Sequence, residues 1–234
     1  MKHLTEKREN SGTGGNTGKA SPDLLAQRAY QALLDRLRDG ELSSGVFVTV
    51  PELVEMLGFP LAAVREAVKR AGACDLLTVI PKRGVTIMDA GPETTRACLT
   101  LRALFDVEGA RRLIGSGAAM PLASLRAAHE DMLEKAQRAM TPDLPRQAIR
   151  IDLSLHDALS AGLDTWLEKQ LYEENRKRIA IIQNSRAFLP PRIVSAMEEH
   201  LAIIAALEAH DPDAAAESIR LHLKNTLHWW GVPD

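Results

Sequence analysis

The sequence predicts a mainly α protein in two parts: a small N-terminal unit of three helices closed by a β-hairpin, then an all-α bundle of six helices. Three observations carry this. Apolar residues recur at three- and four-residue spacing over most of the 234 residues. Two β-type runs stand side by side, Leu76–Ile80 and Val85–Met88, around a single turn. Beyond Ala90-Gly91-Pro92 only helical periodicity continues.

Residues 1–20 are polar and rich in Gly, Ser, Thr and Asn, a composition expected to be disordered. Ser21-Pro22 then opens a helix, with Ser as cap and Pro in the first turn, and Leu24, Leu25, Tyr30, Leu33, Leu34 and Leu37 form its apolar stripe up to Gly40. Thr49-Val50-Pro51-Glu52 is a capping box for a short second helix ending at Gly58. Pro60 starts a third helix running to about Cys74. The hairpin follows, turning at Pro81-Lys82-Arg83-Gly84. Helix, short helix, helix, hairpin is the order of a winged helix-turn-helix, a DNA-reading unit. The breaks at 115–121, 141–145, Gly162, Leu189-Pro190-Pro191 and 210–213 divide the remainder into six helices. The expected organisation is therefore a tail at 1–20, a winged unit at 21–89, a linker at 90–92 and a helical domain at 93–234.

Composition narrows the class. A hydrophobic content of 45% supports a real core, and a formal net charge of −2 gives no whole-chain sign of a nucleic-acid partner, though a local basic patch remains open. Cys74 and Cys98 show no pairing spacing and read as reduced thiols of a cytoplasmic protein. No apolar run approaches a membrane span, and the N-terminus has no signal-peptide pattern.

The most specific chemistry lies in the second part. Asp152 and His156 are about 400° apart around a helix, hence on one face, in a stripe with Ile149, Leu153, Leu159 and Leu163 that points inward. His200 and His222 each lie eleven residues from Asp211, at the centre of a turn. If that turn joins antiparallel helices, both lie roughly 16 Å from it and share one level. Any one of these histidines alone reads as a hydrogen-bonded core residue. One Asp and three His at one height read as an N3O metal site for zinc first, with nickel, manganese or iron also compatible. On a metal preferring six ligands, two positions would stay open for a small carboxylate.

At this point the chain resembles a GntR-family transcription regulator of the FadR-type subfamily. The N-terminal resemblance rests on Gly40-Glu-Leu-Ser-Ser-Gly45, Glu52-Leu53, Leu57-Gly58, Val64-Arg65-Glu66-Ala67-Val68 and the Pro81–Gly84 wing. The C-terminal part resembles that subfamily's FCD effector domain through Asp152-x3-His156, His200 and His222 spaced 22 apart, and the Asp-Pro-Asp turn between them. Arg102, with Asp106 four residues on, resembles the first-helix Arg-x3-Glu of that domain. The resemblance implies a homodimeric regulator, a repressor by preference, that binds a palindromic double-stranded operator. Its helical domain would bind a divalent metal and a small carboxylate effector. Arg102, if it points inward, could fork onto that carboxylate; otherwise it forms an i,i+4 pair with Asp106 at the surface.

The DNA contacts expected are Arg65 and Lys69 on the third helix and Lys82 and Arg83 at the wing tip, with Thr49 able to donate to a phosphate as well as cap. The chain departs from the family pattern where Ser, Arg and Thr usually open the recognition helix: here stand Pro60, Leu61 and Ala62, and Asp75 replaces a helix-ending Gly. Leu61 cannot donate to guanine. Residues 21–90 carry eight Lys/Arg against nine Asp/Glu, so DNA binding weaker than, or differently specific from, the family's is expected. Two alternatives remain: a metal-dependent ligand-binding module with degenerate DNA binding, and an HD-type metal phosphohydrolase built on His156-Asp157 with His129 and Asp211. Outside that alternative, His129, His210 and His228 have no setting comparable to the tetrad, and His210, in the turn, is expected to be exposed.

Overall fold

The computed structural model describes residues 21–139, 141–186 and 189–232. The tail expected at 1–20 lies outside them. Among the described residues there are nine helices and a three-stranded sheet. These are α1 (Pro22–Arg38), β1 (Phe47–Val48), α2 (Val50–Leu57), α3 (Leu61–Ala73), β2 (Leu77–Ile80), β3 (Gly84–Ile87), α4 (Pro92–Ser116), α5 (Leu122–Arg138), α6 (Leu144–Ser160), α7 (Trp166–Asn184), α8 (Pro190–Glu208) and α9 (Pro212–Trp229).

In the N-terminal unit local sequence and structure agree closely. Ser21 Oγ accepts from Leu24 N at 3.3 Å, and α1 buries Ala29, Tyr30, Leu33 and Leu37 on one face. The capping box of α2 is complete, with Thr49 N and Oγ1 both donating to Glu52 Oε2 at 2.8 Å. Pro60 caps α3 without any side-chain hydrogen bond. Asp75, at φ +54°, takes the left-handed turn after α3 and ion-pairs with Arg178 of α7 at 3.3 Å.

The sheet has order β1-β3-β2, with Val48 opposite Val85 and Val79 opposite Val85 on the other side. Strand β1 was not anticipated, because two residues carry no period. It explains Gly84: an added Cβ there would strike the Val48 carbonyl and come within 2.9 Å of Thr49 Cα.

Behind the winged unit lie the six bundle helices. Gly109 of α4 and Gly162, just past α6, touch backbone directly: a Cβ at Gly109 would meet the Leu159 carbonyl, and one at Gly162 the Gly109 carbonyl. The resulting close approach of α4 to α6 positions the site below. Helix α7 joins the two parts. Its Ile181 is buried in the core of the winged unit, and Asn184 Nδ2 donates to the Leu37 carbonyl (3.1 Å) and to that of Arg38 at the end of α1. Trp230 packs partly buried at the bundle end, while Trp229 is half exposed. No described helix is long and apolar enough to cross a membrane.

Candidate metal centre and nucleic-acid interface

Asp152, His156, His200 and His222 are buried together, and one candidate ligand atom from each lies within 4.8 Å of the others. Asp152 and His156 come from successive turns of α6, His200 from α8 and His222 from α9. The α8–α9 turn sets the match in height. Asp211 caps α9, its carboxylate accepting from Asp213 N at 3.1 Å and Ala214 N at 2.9 Å. The two equal arms then place His200 Nε2 3.3 Å from His222 Nε2. His200 Nε2 is also 3.6 Å from Asp152 Oδ1, and His156 Nε2 is 4.0 Å from Asp152 Oδ2.

Hydrogen-bond chemistry locates two of the imidazole protons. His156 Nδ1 lies 2.7 Å from Asp106 Oδ2, and His222 Nδ1 lies 2.7 Å from Glu199 Oε2. A carboxylate only accepts, so each Nδ1–H donates and each Nε2 is left with its lone pair. Among the described residues the buried His156 Nε2 has no hydrogen-bond partner. Two imidazole lone pairs and a carboxylate thus converge, an arrangement that is costly unless a cation joins it. The donor set fits zinc and its neighbours.

Electrostatics favour the ligand-competent states. Burial pushes His222 down to about 4, although its bond to Glu199 acts the other way. Burial, reinforced by the neighbouring imidazoles, pushes His200 well below the usual range. Both rings are neutral at pH 7, as ligands must be. Burial works to raise the Asp152 carboxyl, but Arg102 leads the positive charges that outweigh it and hold it low, so it is a carboxylate.

Arg102 points inward and is 4% exposed. Its Nη1 lies 3.6 Å from Asp152 Oδ2, too long for a hydrogen bond, and has no hydrogen-bond partner among the described residues. The surface pair with Asp106 does not form, since Asp106 is committed to His156. Around the same site Asp106 Oδ1 and Gln183 Oε1 are also buried without partners.

The sequence reading overlooked four supporting residues. Asp106 was seen only as a neighbour of Arg102. Glu199, next to His200 in the chain, turns to His222 and is held by Arg192 at 3.1 Å and Asn225 at 3.0 Å. Gln183 Nε2 donates to Asp152 Oδ2 at 2.7 Å from α7. His129, given no place beside the tetrad, is fully buried, its Nε2 3.1 Å from His200 Nδ1. Its stripe with Leu125, Met132 and Ala136 was the signal that would have turned it inward.

The hydrolase alternative fails on geometry. Asp157 accepts from Arg176 at 2.5 and 2.6 Å and from Tyr172 Oη at 2.9 Å, away from the tetrad, and Asp211 is a helix cap.

In the winged unit, α3 exposes Leu61, Ala62, Arg65, Glu66, Lys69 and Arg70. Arg65 and Lys69 line a groove of about 820 Å³ with Lys82 and Arg83 of the wing and Val50 and Pro51 of α2. Arg65 makes no ion pair among the described residues, whereas Lys69 lies 3.6 Å from Glu66 with both side chains exposed. Arg70 stacks on Tyr30, 4.4 Å from the ring centroid, and belongs to the unit's own surface. Thr49 spends its hydroxyl proton on Glu52.

A winged helix-turn-helix joined to an all-α bundle with a buried metal-competent site is the build of a ligand-responsive DNA-binding regulator. The sequence matches the bacterial regulatory proteins of the gntR family over residues 25–87 and the FCD domain over residues 97–225. The chain belongs to the GntR family and carries an FCD domain, and it is a DNA-binding transcription regulator rather than an enzyme. It is 23% identical over 211 residues to the uncharacterized HTH-type transcriptional regulator BphR of Paraburkholderia xenovorans (strain LB400), covering 87% of this chain and 84% of that one. Its fold is similar to that of E. coli McbR/YncC (TM-score 0.68, 20% identity, 90% of this chain and 97% of that one). It is also similar to a putative GntR transcriptional regulator from Rhodococcus sp. RHA1 (TM-score 0.73, 17% identity, 89% and 99%). GntR regulators bind DNA operators and small-molecule effectors, and FCD domains commonly bind metal.

Proposed function

We propose that this protein is a cytoplasmic, homodimeric repressor whose FCD domain holds a divalent metal, zinc by preference, on Asp152, His156, His200 and His222, and senses a small organic acid there. The observation that carries this reading is the set of buried, unpartnered polar atoms on the tetrad and on the side chains that touch it: His156 Nε2, Arg102 Nη1, Asp106 Oδ1 and Gln183 Oε1. The imidazole nitrogens ask for a cation and the guanidinium for an anion. Bound metal would supply an electrophilic centre with open positions. Arg102 would orient the acid's carboxylate beside it.

The winged unit would read a half-site, with Arg65 and Lys69 in the major groove and Lys82 and Arg83 on the backbone. Thr49 would have to exchange Glu52 for a phosphate to join them. Leu61, 44% exposed at the tip of α3, would meet base edges without donating, which supports altered specificity. A homodimer is supported by exposed apolar side chains on two packed helices, Leu104 of α4 and Trp166, Leu167 and Leu171 of α7. The route between site and head is α7: Gln183 holds Asp152, and the next residue, Asn184, holds the end of α1. An acid that rearranges Asp152 would thereby bias the head.

The test is metal analysis followed by a thermal-shift screen of dicarboxylates and sugar acids. The reading expects a hit that stabilises only metal-loaded protein. Equal shifts with and without metal would exclude direct coordination.

A further inference from the structure

We propose that His129 is a positioning residue of the metal centre: it fixes the proton of His200 on Nδ1 and so keeps His200 Nε2 as the lone pair that faces the metal. This rests on the metal reading above. His156 and His222 have carboxylates behind them, Asp106 and Glu199, to define their protons. Among the described residues none stands behind His200 Nδ1; a second imidazole does.

The argument runs along one chain of hydrogen bonds. His129 Nδ1 lies 2.7 Å from the carbonyl oxygen of Leu125, four residues back in α5. A carbonyl only accepts, so Nδ1 carries His129's proton. Among the described residues His200 alone lies within hydrogen-bonding distance of His129 Nε2, and His129 is 0% exposed. Its Nε2 is then an acceptor, 3.1 Å from His200 Nδ1, which must donate. His200 is left with a bare Nε2, aimed at His222 Nε2 (3.3 Å) and Asp152 Oδ1 (3.6 Å).

The alternative tautomer shows why this matters. With its proton on Nε2, His200 could donate straight to His222 Nε2 and close the site on itself. Both nitrogens would then be lost to a metal. The hydrogen bond from His200 to His129 stands against this blocked state. Because His129 sits on α5 and His200 on α8, the metal's affinity is tied to how those two helices pack.

The experiment uses the full-length protein and zinc. Nitrogen-15 NMR of the histidine rings in metal-free wild type should find His200 protonated on Nδ1. Zinc affinity is then measured by chelator competition for wild type, His129→Leu and His129→Gln. His129→Leu removes the acceptor and should weaken zinc binding about 10- to 100-fold, the range seen for outer-shell partners. His129→Gln, whose amide oxygen reaches the position of Nε2, should restore most of it. Wild-type affinity in His129→Leu, or an Nε2–H tautomer at His200 in the wild type, overturns the proposal. If His129→Leu does not fold, the tautomer measurement decides alone. A wild-type protein that takes up no zinc overturns the metal centre itself, a result read separately from the tautomer.

Discussion

Replacing His222 by Ala separates the metal's contribution from that of the fold. In the metal-free protein His222 contributes a hydrogen bond to Glu199 (2.7 Å) and fills buried space at 2% exposure. Glu199 does not become an orphan, because Arg192 at 3.1 Å and Asn225 at 3.0 Å remain on it. The metal-free cost is then the lost bond plus a small cavity, about 2–4 kcal/mol. The metal-loaded cost is larger. At free zinc about 1,000-fold above Kd, bound metal stabilises the native state by about 4 kcal/mol. For a chain of this length that is a rise in Tm of roughly 8–16 °C. His222→Ala leaves three ligands and should lose most of that increment at the same free zinc. The assay is thermal unfolding of both proteins, with chelator and with buffered zinc. The decisive quantity is the zinc-dependent increment, not the absolute Tm. A variant that melts lower but keeps the full increment would refute the assignment of His222 as a ligand.

Three further outcomes are expected. Arg65→Ala should weaken operator binding by about 1–3 kcal/mol and lower the salt dependence, with the FCD domain's metal uptake unchanged; gel-shift titrations at several salt concentrations check it, and unchanged affinity would remove Arg65 from the interface. Asn184→Ala should leave metal and acid binding intact while reducing the acid's effect on operator affinity, since it cuts the contact to the Leu37 carbonyl; full retention of that effect in a fluorescence-anisotropy titration would close the α7 route. Metal-free protein should lose stability as pH falls from about 6.5 through about 4, because His222 is depressed to about 4 when folded and takes its proton more readily when unfolded. That group alone is worth on the order of 3 kcal/mol across the window. Denaturant unfolding at stepped pH would show a flat profile there if the ring were exposed.

Secondary structure and its punctuation were legible in the sequence because they are local. Ser21, the Thr49–Glu52 box, Gly58, Asp211 and the proline-rich breaks each act within four residues, and each stands where the one-dimensional reading placed it. The tetrad was legible for a related reason. Helical period puts Asp152 under His156, and equal arms about one turn put His200 level with His222, so two local rules gave one long-range meeting point.

What only the tertiary structure decided are the partners that approach from other helices. Nothing in the spacing told Arg102 to reach for Asp152 rather than Asp106, or brought Gln183 from α7 and His129 from α5 onto the same cluster. Those contacts depend on how closely helices pack, and at α4 and α6 that distance is set by two glycines whose backbones touch. β1 went unseen because two residues have no period, and only pairing with β3 makes them a strand. Sequence alone placed four candidate ligands at one height; the packed bundle decided which partners turn the protons of His156 and His222 away from the cluster.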